Sequence, residues 1–237
     1  MTLPLNMPVN ANDPHQAARF NMVEQQVRPW DVSDAQVLEL IGTLRREEFV
    51  PAGLQDMAFM DVQLPLLGDD GEAAIAQGHC MMQPRVEARI LQDLALKSGD
   101  TVLEIGTGSG YMAALMASLS KQVTTLEIEP SLVELARANL HRAGIRNVDV
   151  KLEDGSNIAA IGGSFDVIVL SGSVYEVPQA LLNKLNDGGR LVAFVGTEPV
   201  MRTTICTRRS NQFEKKIPWD TLVARLKGFP EASRFKF

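Results

Sequence analysis

Read for hydrophobic period alone, the chain changes character near residue 100. Upstream, apolar residues recur at helical spacing: Val37, Leu40, Ile41 and Leu44 form one stripe, and Val86, Ile90, Leu91 and Leu94 a second. Ser33, with Gln36 three residues on, predicts the cap of the first helix. Pro84 suits the first turn of the second helix, and Ser98-Gly99-Asp100 is expected to close it. Between the two, Phe49-Val50-Pro51 breaks the period. Residues 59–77, with Pro65, Gly68 and Gly71 among short apolar pieces, read as loops or a small β excursion that resembles a lid. Residues 1–19 mix Pro, Asn, Asp and His without apolar periodicity, so they are expected to pack loosely.

From Thr101 onward short apolar runs alternate with helical stripes. Thr101–Ile105 predicts a strand, followed by a helix through Met112, Leu115, Met116 and Leu119. Val123–Ile128 predicts the next strand, and its helix starts near Pro130, carries Leu132, Leu135, Ala136 and Leu140, and ends at Gly144. Val148–Leu152 is a third strand, and the almost unbroken run Phe165–Leu170 suits a central strand buried on both faces of a parallel sheet. A helix over Pro178–Leu185 then leads to strands at Arg190–Val195, Thr203–Thr207 and Phe213–Ile217. Strands and helices alternating at this spacing imply βαβ units, and hence an α/β, doubly wound, mainly parallel sheet. The chain divides into a loosely structured stretch 1–19 and a single domain 20–237, made of a helical and lid region 20–99, a core 100–217 and a tail 218–237. Phe229, Phe235 and Phe237 of the tail are expected to pack on the sheet edge rather than cover a cleft.

Composition removes several alternatives. The net charge of −6 and the absence of a Lys/Arg run beyond the pairs Arg208-Arg209 and Lys215-Lys216 argue against a nucleic-acid partner. Neither a leader pattern nor a stretch of about 18 apolar residues is visible, so no membrane partner and a cytoplasmic location are expected. Cys80 and Cys206 lack metal-ligand spacing, and His15, His79 and His141 are too scattered for a zinc site, so no metal is expected.

The chemistry concentrates after the first core strand. Gly106, Gly108 and Gly110, with Thr107 and Ser109 between them, form a turn from strand to helix, where missing side chains let a ligand approach backbone N–H groups. A dinucleotide G-x-G-x-x-G pattern from Gly106 needs glycine at 111, where Tyr111 stands, and no Gly-Lys-Ser/Thr follows for a nucleotide phosphate loop. Glu127, at the end of the second strand and 17 residues after Gly110, is placed to accept from both hydroxyls of a ribose, with Glu129 as a nearby competitor. Asp154-Gly155 follows the third strand; Asp154 can accept from an adenine amino group, or the pair can be a plain turn.

With these pieces in order, the chain resembles the protein-L-isoaspartate O-methyltransferase family from about Met22 to Gly196. The matching segments are Met22-Val23-Glu24-Gln25, Arg46–Pro51, Asp61–Pro65, Gln83-Pro84, Val102–Tyr111, Asp154-Gly155, Phe165-Asp166 and Pro178–Gly196. The resemblance implies a seven-stranded, Rossmann-like methyltransferase sheet with an N-terminal helical and loop extension. It also implies S-adenosylmethionine as cofactor and, as partner, an isoaspartyl-containing protein or peptide whose carboxylate is methylated, the ester then collapsing to a succinimide. On this reading Gln83, Glu104, Gly106 to Tyr111, Glu127, Ile128, Asp154 and Gly155 bind the cofactor. Glu104 would hold the turn's amides or face the cationic methionine moiety, unless an Arg or Lys simply pairs with it.

One segment departs from the family. Members usually carry Gly-Gln-Thr-Ile-Ser before the Gln-Pro position; this chain has Gly78-His79-Cys80-Met81-Met82, so Met82 stands in place of a serine hydroxyl. A flexible apolar side chain cannot donate to an acceptor oxygen. Met82, His79, Ser171 and Ser173 are therefore the acceptor-pocket candidates, the two serines as substitutes for the missing hydroxyl or as plain solvated loop residues. Three outcomes stay open: isoaspartyl methylation, methylation of another acceptor such as a small carboxylic acid or a phenol, or cofactor binding without transfer.

Overall fold

The computed structural model describes residues 15–231. Helix α1 (Gln16–Met22) runs on through a π-helical turn at Val23–Val27 and a 3-10 turn at Arg28–Trp30. The expectation of loose packing therefore fails over residues 16–19, because buried Arg19 pairs with Glu47 and Met22 is fully buried. Residues 1–14 lie outside the described residues.

Helix α2 (Ala35–Thr43) is capped by Asp34 rather than Ser33. Asp34 Oδ1 accepts from the amides of Gln36 and Val37 at 2.9 and 3.0 Å, and a carboxylate there also opposes the positive helix end. Two 3-10 segments, Arg46–Phe49 and Ala52–Phe59, lead into an antiparallel pair, β1 (Leu64–Pro65) and β2 (Cys80–Met81). The small β excursion is thus present, with helix α3 (Gly71–Ala76) inserted between its strands; six residues are too few to display a period. Helix α4 (Pro84–Leu94) stops with Ala95 at φ 45°, ahead of Ser98-Gly99-Asp100. Arg190 causes the early stop, since its guanidinium takes the otherwise unpaired carbonyls of Leu94 and Ala95.

The core then alternates β3 (Thr101–Ile105), α5 (Tyr111–Leu119), β4 (Gln122–Glu127), α6 (Pro130–Arg142), β5 (Val148–Leu152), β6 (Phe165–Val174), α7 (Gln179–Leu182), β7 (Leu185–Thr197), β8 (Val200–Arg209) and β9 (Gln212–Lys216). The order across the seven-stranded sheet is β5-β4-β3-β6-β7-β8-β9. Pairing is parallel through β7 and antiparallel for β8 and β9. Several boundaries differ from expectation: α7 is a single turn, β6 continues past Leu170 through Ser171–Ser173 after a register shift, and β7 and β8 extend at both ends beyond Arg190–Val195 and Thr203–Thr207.

Strand alternation explains the unbroken apolar runs. Val167, Val169, Val192 and Phe194 face the layer of α4, α5 and α6, whereas Ile168, Leu170, Leu191 and Ala193 face the layer holding Leu181, Ile161 and Phe229. Phe229 is buried in that layer, while Phe235 and Phe237 lie outside the described residues. Among the described residues no helix is long and apolar enough to cross a membrane.

The chain winds outward from β3 to β5 and returns to β6 on the other side of β3. A crevice must open at that reversal, between the carboxyl ends of β3 and β6, and ligands of open α/β sheets collect there.

Candidate functional site

The glycine turn forms one wall of this crevice. Gly106, at φ 94°, leaves β3 with its amide on the Leu126 carbonyl, and a Cβ there would stand 2.8 Å from Leu226 Cδ2. Gly108 also lines the crevice. Gly110 does not: it precedes α5, and a Cβ there would meet Ala136 and Leu140 of α6 at 3.3 Å.

Beneath the turn Glu104 is fully buried. Its Oε1 accepts from Ser171 Oγ and its Oε2 from Thr125 Oγ1, each at 2.7 Å. Neither expected partner class is used, since hydroxyls rather than turn amides hold the carboxylate and no Arg or Lys pairs with it among the described residues. Burial pushes Glu104 up to about 8; the Ser171 and Thr125 hydrogen bonds oppose this, and the Glu127 and Glu87 carboxylates add to it. A buried carboxylate lacking a cation is a receptor for one.

Glu127 is solvated by backbone instead. Its Oε2 accepts from Gly108 N at 3.0 Å, and its Oε1 accepts from the amides of Ile128 and Glu129 at 2.9 and 3.1 Å. This fixes the carboxylate at the crevice floor and leaves Oε2 a lone pair for a further donor. Ile128, Asp154 and Gly155 continue the lining. Asp154 Oδ1 is taken locally by Ser156 N and Oγ at 2.9 and 2.7 Å, so Asp154 is both a turn residue and a crevice residue.

His79, Cys80 and Met82 close the crevice from the lid side, and Ser171 lines it from β6. Burial pushes the Cys80 thiol up to about 11, which leaves it a poor nucleophile at neutral pH. Ser171 spends its one hydroxyl proton on Glu104, and Ser173 is buried with its Oγ 3.4 Å from the Ala224 carbonyl. Neither serine is a solvated loop residue, and neither offers a free donor to replace the serine lost at Met82.

Several residues expected in the pocket point elsewhere. Thr107 Oγ1 meets Thr125 Oγ1 at 2.6 Å, and Ser109 Oγ accepts from Tyr111 N at 3.3 Å. The Tyr111 ring is buried edge-on to Phe49 with the Arg46 guanidinium 5.0 Å over its face. Gln83 borders a neighbouring cleft of about 710 Å³ shared with Asp61, Glu198, Val223 and Arg225. Ala224 and Arg225 border both cavities.

Two groups had little signal in the sequence. Arg46, fully buried, donates from Nε to the Ala58 carbonyl at 2.9 Å and from its other nitrogens to the Met82 carbonyl and Glu87. It thereby fixes the segment carrying Met82, although the sequence showed it only as the start of the Phe-Val-Pro element. The tail is the second. Ser173 N donates to Ala224 O at 2.8 Å and Leu226 N to Ser173 O at 3.0 Å, so residues 224–226 run along the end of β6. In such a strand the alternate residues Val223 and Arg225 turn their amides and carbonyls away from β6, and these have no hydrogen-bond partner among the described residues. Among the described residues no cluster of three or more His, Cys, Asp or Glu could hold a metal ion.

Known proteins match this arrangement over most of its length. The profile of the protein-L-isoaspartate(D-aspartate) O-methyltransferase family matches residues 18–222. A protein-L-isoaspartate O-methyltransferase of Methanoculleus marisnigri is 37% identical over 202 residues, covering 85% of this chain and 88% of its own. Protein-L-isoaspartate O-methyltransferase 2 of Marinobacter nauticus is 39% identical over 196 residues, covering 83% and 85%. Among solved structures, a Plasmodium falciparum protein-L-isoaspartate O-methyltransferase with S-adenosyl-L-homocysteine superposes with a TM-score of 0.72 at 21% identity, over 91% of this chain and 99% of its own. At that identity the likeness supports the fold alone.

Proposed function

The chain belongs to the protein-L-isoaspartate(D-aspartate) O-methyltransferase family, which uses S-adenosylmethionine, and from that premise we propose how its residues divide the work of a carboxyl methyl transfer. The observation that carries the reading is Glu104, a buried carboxylate without a cationic partner, set under a glycine turn at the sheet's point of reversal. S-Adenosylmethionine supplies an electrophilic methyl group on a permanently cationic sulfur. Glu104 complements that charge, Glu127 has a lone pair left for a ribose hydroxyl, and Ile128, Asp154 and Gly155 form the adenine end. These residues fit the cofactor in charge and in order along the crevice.

The acceptor approaches from the neighbouring cleft. An extended peptide can pair with the free strand edge of Val223 and Arg225, and Ala224 and Arg225 lead from that cleft to the crevice. An isoaspartyl carboxylate has an ordinary pKa near 4 and is ionised at pH 7, so no general base is required. What the protein must supply is alignment and exclusion of water, which buried Met82 and the Arg46 bonds behind it provide.

Methyl esters and aryl ethers differ in alkali. With labelled S-adenosylmethionine and an isoaspartyl peptide, the product should release volatile labelled methanol on mild base treatment. Label that survives base as an ether would move the acceptor to a phenol and overturn the carboxylate reading.

A further inference from the structure

The tail crosses the whole crevice. Leu226 Cδ2 stands 2.8 Å from where a Cβ of Gly106 would be and 2.9 Å from that of Gly172. Further on, a Cβ at Gly228 would lie 2.6 Å from Ser156 Oγ and 3.0 Å from Asp154 Oδ1. The tail therefore runs from the acceptor side to the end proposed for adenine. The space left beneath it is about 70 Å³, against roughly 300 to 1,000 Å³ for small-molecule pockets. A nucleoside-sized ligand cannot pass while the tail stays down.

Beyond its bonds to Ser173, the Arg225 Nη1 bond to the Gly196 carbonyl at 2.9 Å and the burial of Phe229, the tail is held over the crevice by a bridge between three separate pieces of chain. Lys227 Nζ of the tail lies 3.0 Å from His79 Nε2, just before β2, and His79 Nε2 lies 3.8 Å from Glu129 Oε2, just before α6. The ammonium donates to the imidazole nitrogen, and the Glu129 carboxylate adds attraction for the cation. We propose that Lys227, His79 and Glu129 form a latch tying the tail to the lid over the cofactor pocket, and that its opening sets how fast cofactor and product exchange. The inference rests on the cofactor pocket assigned above. Lys227 is solvent-exposed, so the contact is modest and readily broken, as a latch requires.

The test is stopped-flow binding of S-adenosylhomocysteine to the full chain, wild type against Lys227→Met and Lys227→Arg. Removing one such hydrogen bond should accelerate opening roughly three- to tenfold. Association and dissociation rates of Lys227→Met should rise together by that factor while Kd changes far less, and Lys227→Arg should stay near wild type. Amide exchange at residues 224–228 of the free protein should quicken in Lys227→Met alone. Unchanged rates in Lys227→Met overturn the latch, as does a faster dissociation matched by an equal loss of affinity, which would make Lys227 an ordinary ligand contact. Failure of the wild type to bind S-adenosylhomocysteine at all would overturn the pocket assignment together with the latch.

Discussion

Replacing Glu104 with Gln should separate the two charge states of the cofactor pocket. In the free protein burial lifts Glu104 from 4.5 to about 8, so at pH 7 the carboxyl is mostly protonated. That difference corresponds to roughly 5 kcal/mol at about 1.36 kcal/mol per pH unit, an order-of-magnitude figure for a fully buried group. A sulfonium beside Glu104 favours the ionised form and lowers its pKa. Binding at pH 7 should therefore release up to about one proton, and affinity for S-adenosylmethionine should rise with pH, by at most about tenfold per unit, levelling off near pH 8. S-Adenosylhomocysteine lacks the fixed charge and should show a shallower profile. Calorimetry at several pH values, in buffers of differing ionisation enthalpy, measures both quantities. Glu104→Gln removes the titration, so its profile should flatten and its preference for S-adenosylmethionine over S-adenosylhomocysteine should fall. Stability gives an independent reading. Folded wild type keeps a proton on Glu104 that the unfolded chain gives up above pH 4.5, so the stability due to this group falls as pH rises from 4.5 to about 8. Glu104→Gln should gain Tm relative to wild type across that window. Equal proton release by wild type and variant, with parallel pH profiles, would refute the charge argument.

Other substitutions probe the remaining parts. Gly108→Val puts a β-branched residue at φ 54° in the crevice wall, and should cost about 1–3 kcal/mol of stability and abolish cofactor binding in calorimetry; unchanged affinity would misplace the pocket. Met82→Ser restores a donor beside the crevice, and should raise kcat/KM for an isoaspartyl peptide by about tenfold, the worth of one hydrogen bond, while losing about 2–5 kcal/mol of stability as a buried side chain is truncated. Arg46→Met strands the Glu87 carboxylate in the core and should cost about 3–5 kcal/mol in denaturant unfolding at alkaline pH, less as pH falls and Glu87, already pushed up by burial and now without the opposing pull of Arg46, takes a proton. Adding Glu87→Gln to Arg46→Met should recover part of that loss.

The sheet was legible because its strands carry their own signal. Thr101–Ile105 falls where its apolar run places it, since a parallel strand covered on both faces needs nearly every residue apolar, and Val148–Leu152 falls where apolar and polar residues alternate, as an edge strand allows. The glycine turn and Glu127 were legible for a different reason: spacing along a βαβ unit fixes which side chains meet at its carboxyl edge. What escaped was set by contacts remote in sequence. The end of α4 depends on Arg190, and the buried position of Ser173 depends on tail residues some fifty positions later. Tyr111 looked like part of the pocket because it follows the turn, yet its ring goes to Phe49 and Arg46. Gln83 faces the second cleft because Pro84 starts α4 there and turns the chain away. The tail carries no motif, and contacts remote in sequence, its bonds to Ser173 and the Arg225 bond to the Gly196 carbonyl among them, bring Leu226 over the glycine turn.

The central claim, a carboxyl methyl transfer to damaged protein despite Met82, is tested most directly by labelled methyl transfer to an isoaspartyl peptide beside its normal aspartyl counterpart. Methylation of the isoaspartyl peptide alone is the expected result. Tight S-adenosylmethionine binding with no transfer to either peptide would contradict it, and would leave the crevice with another acceptor.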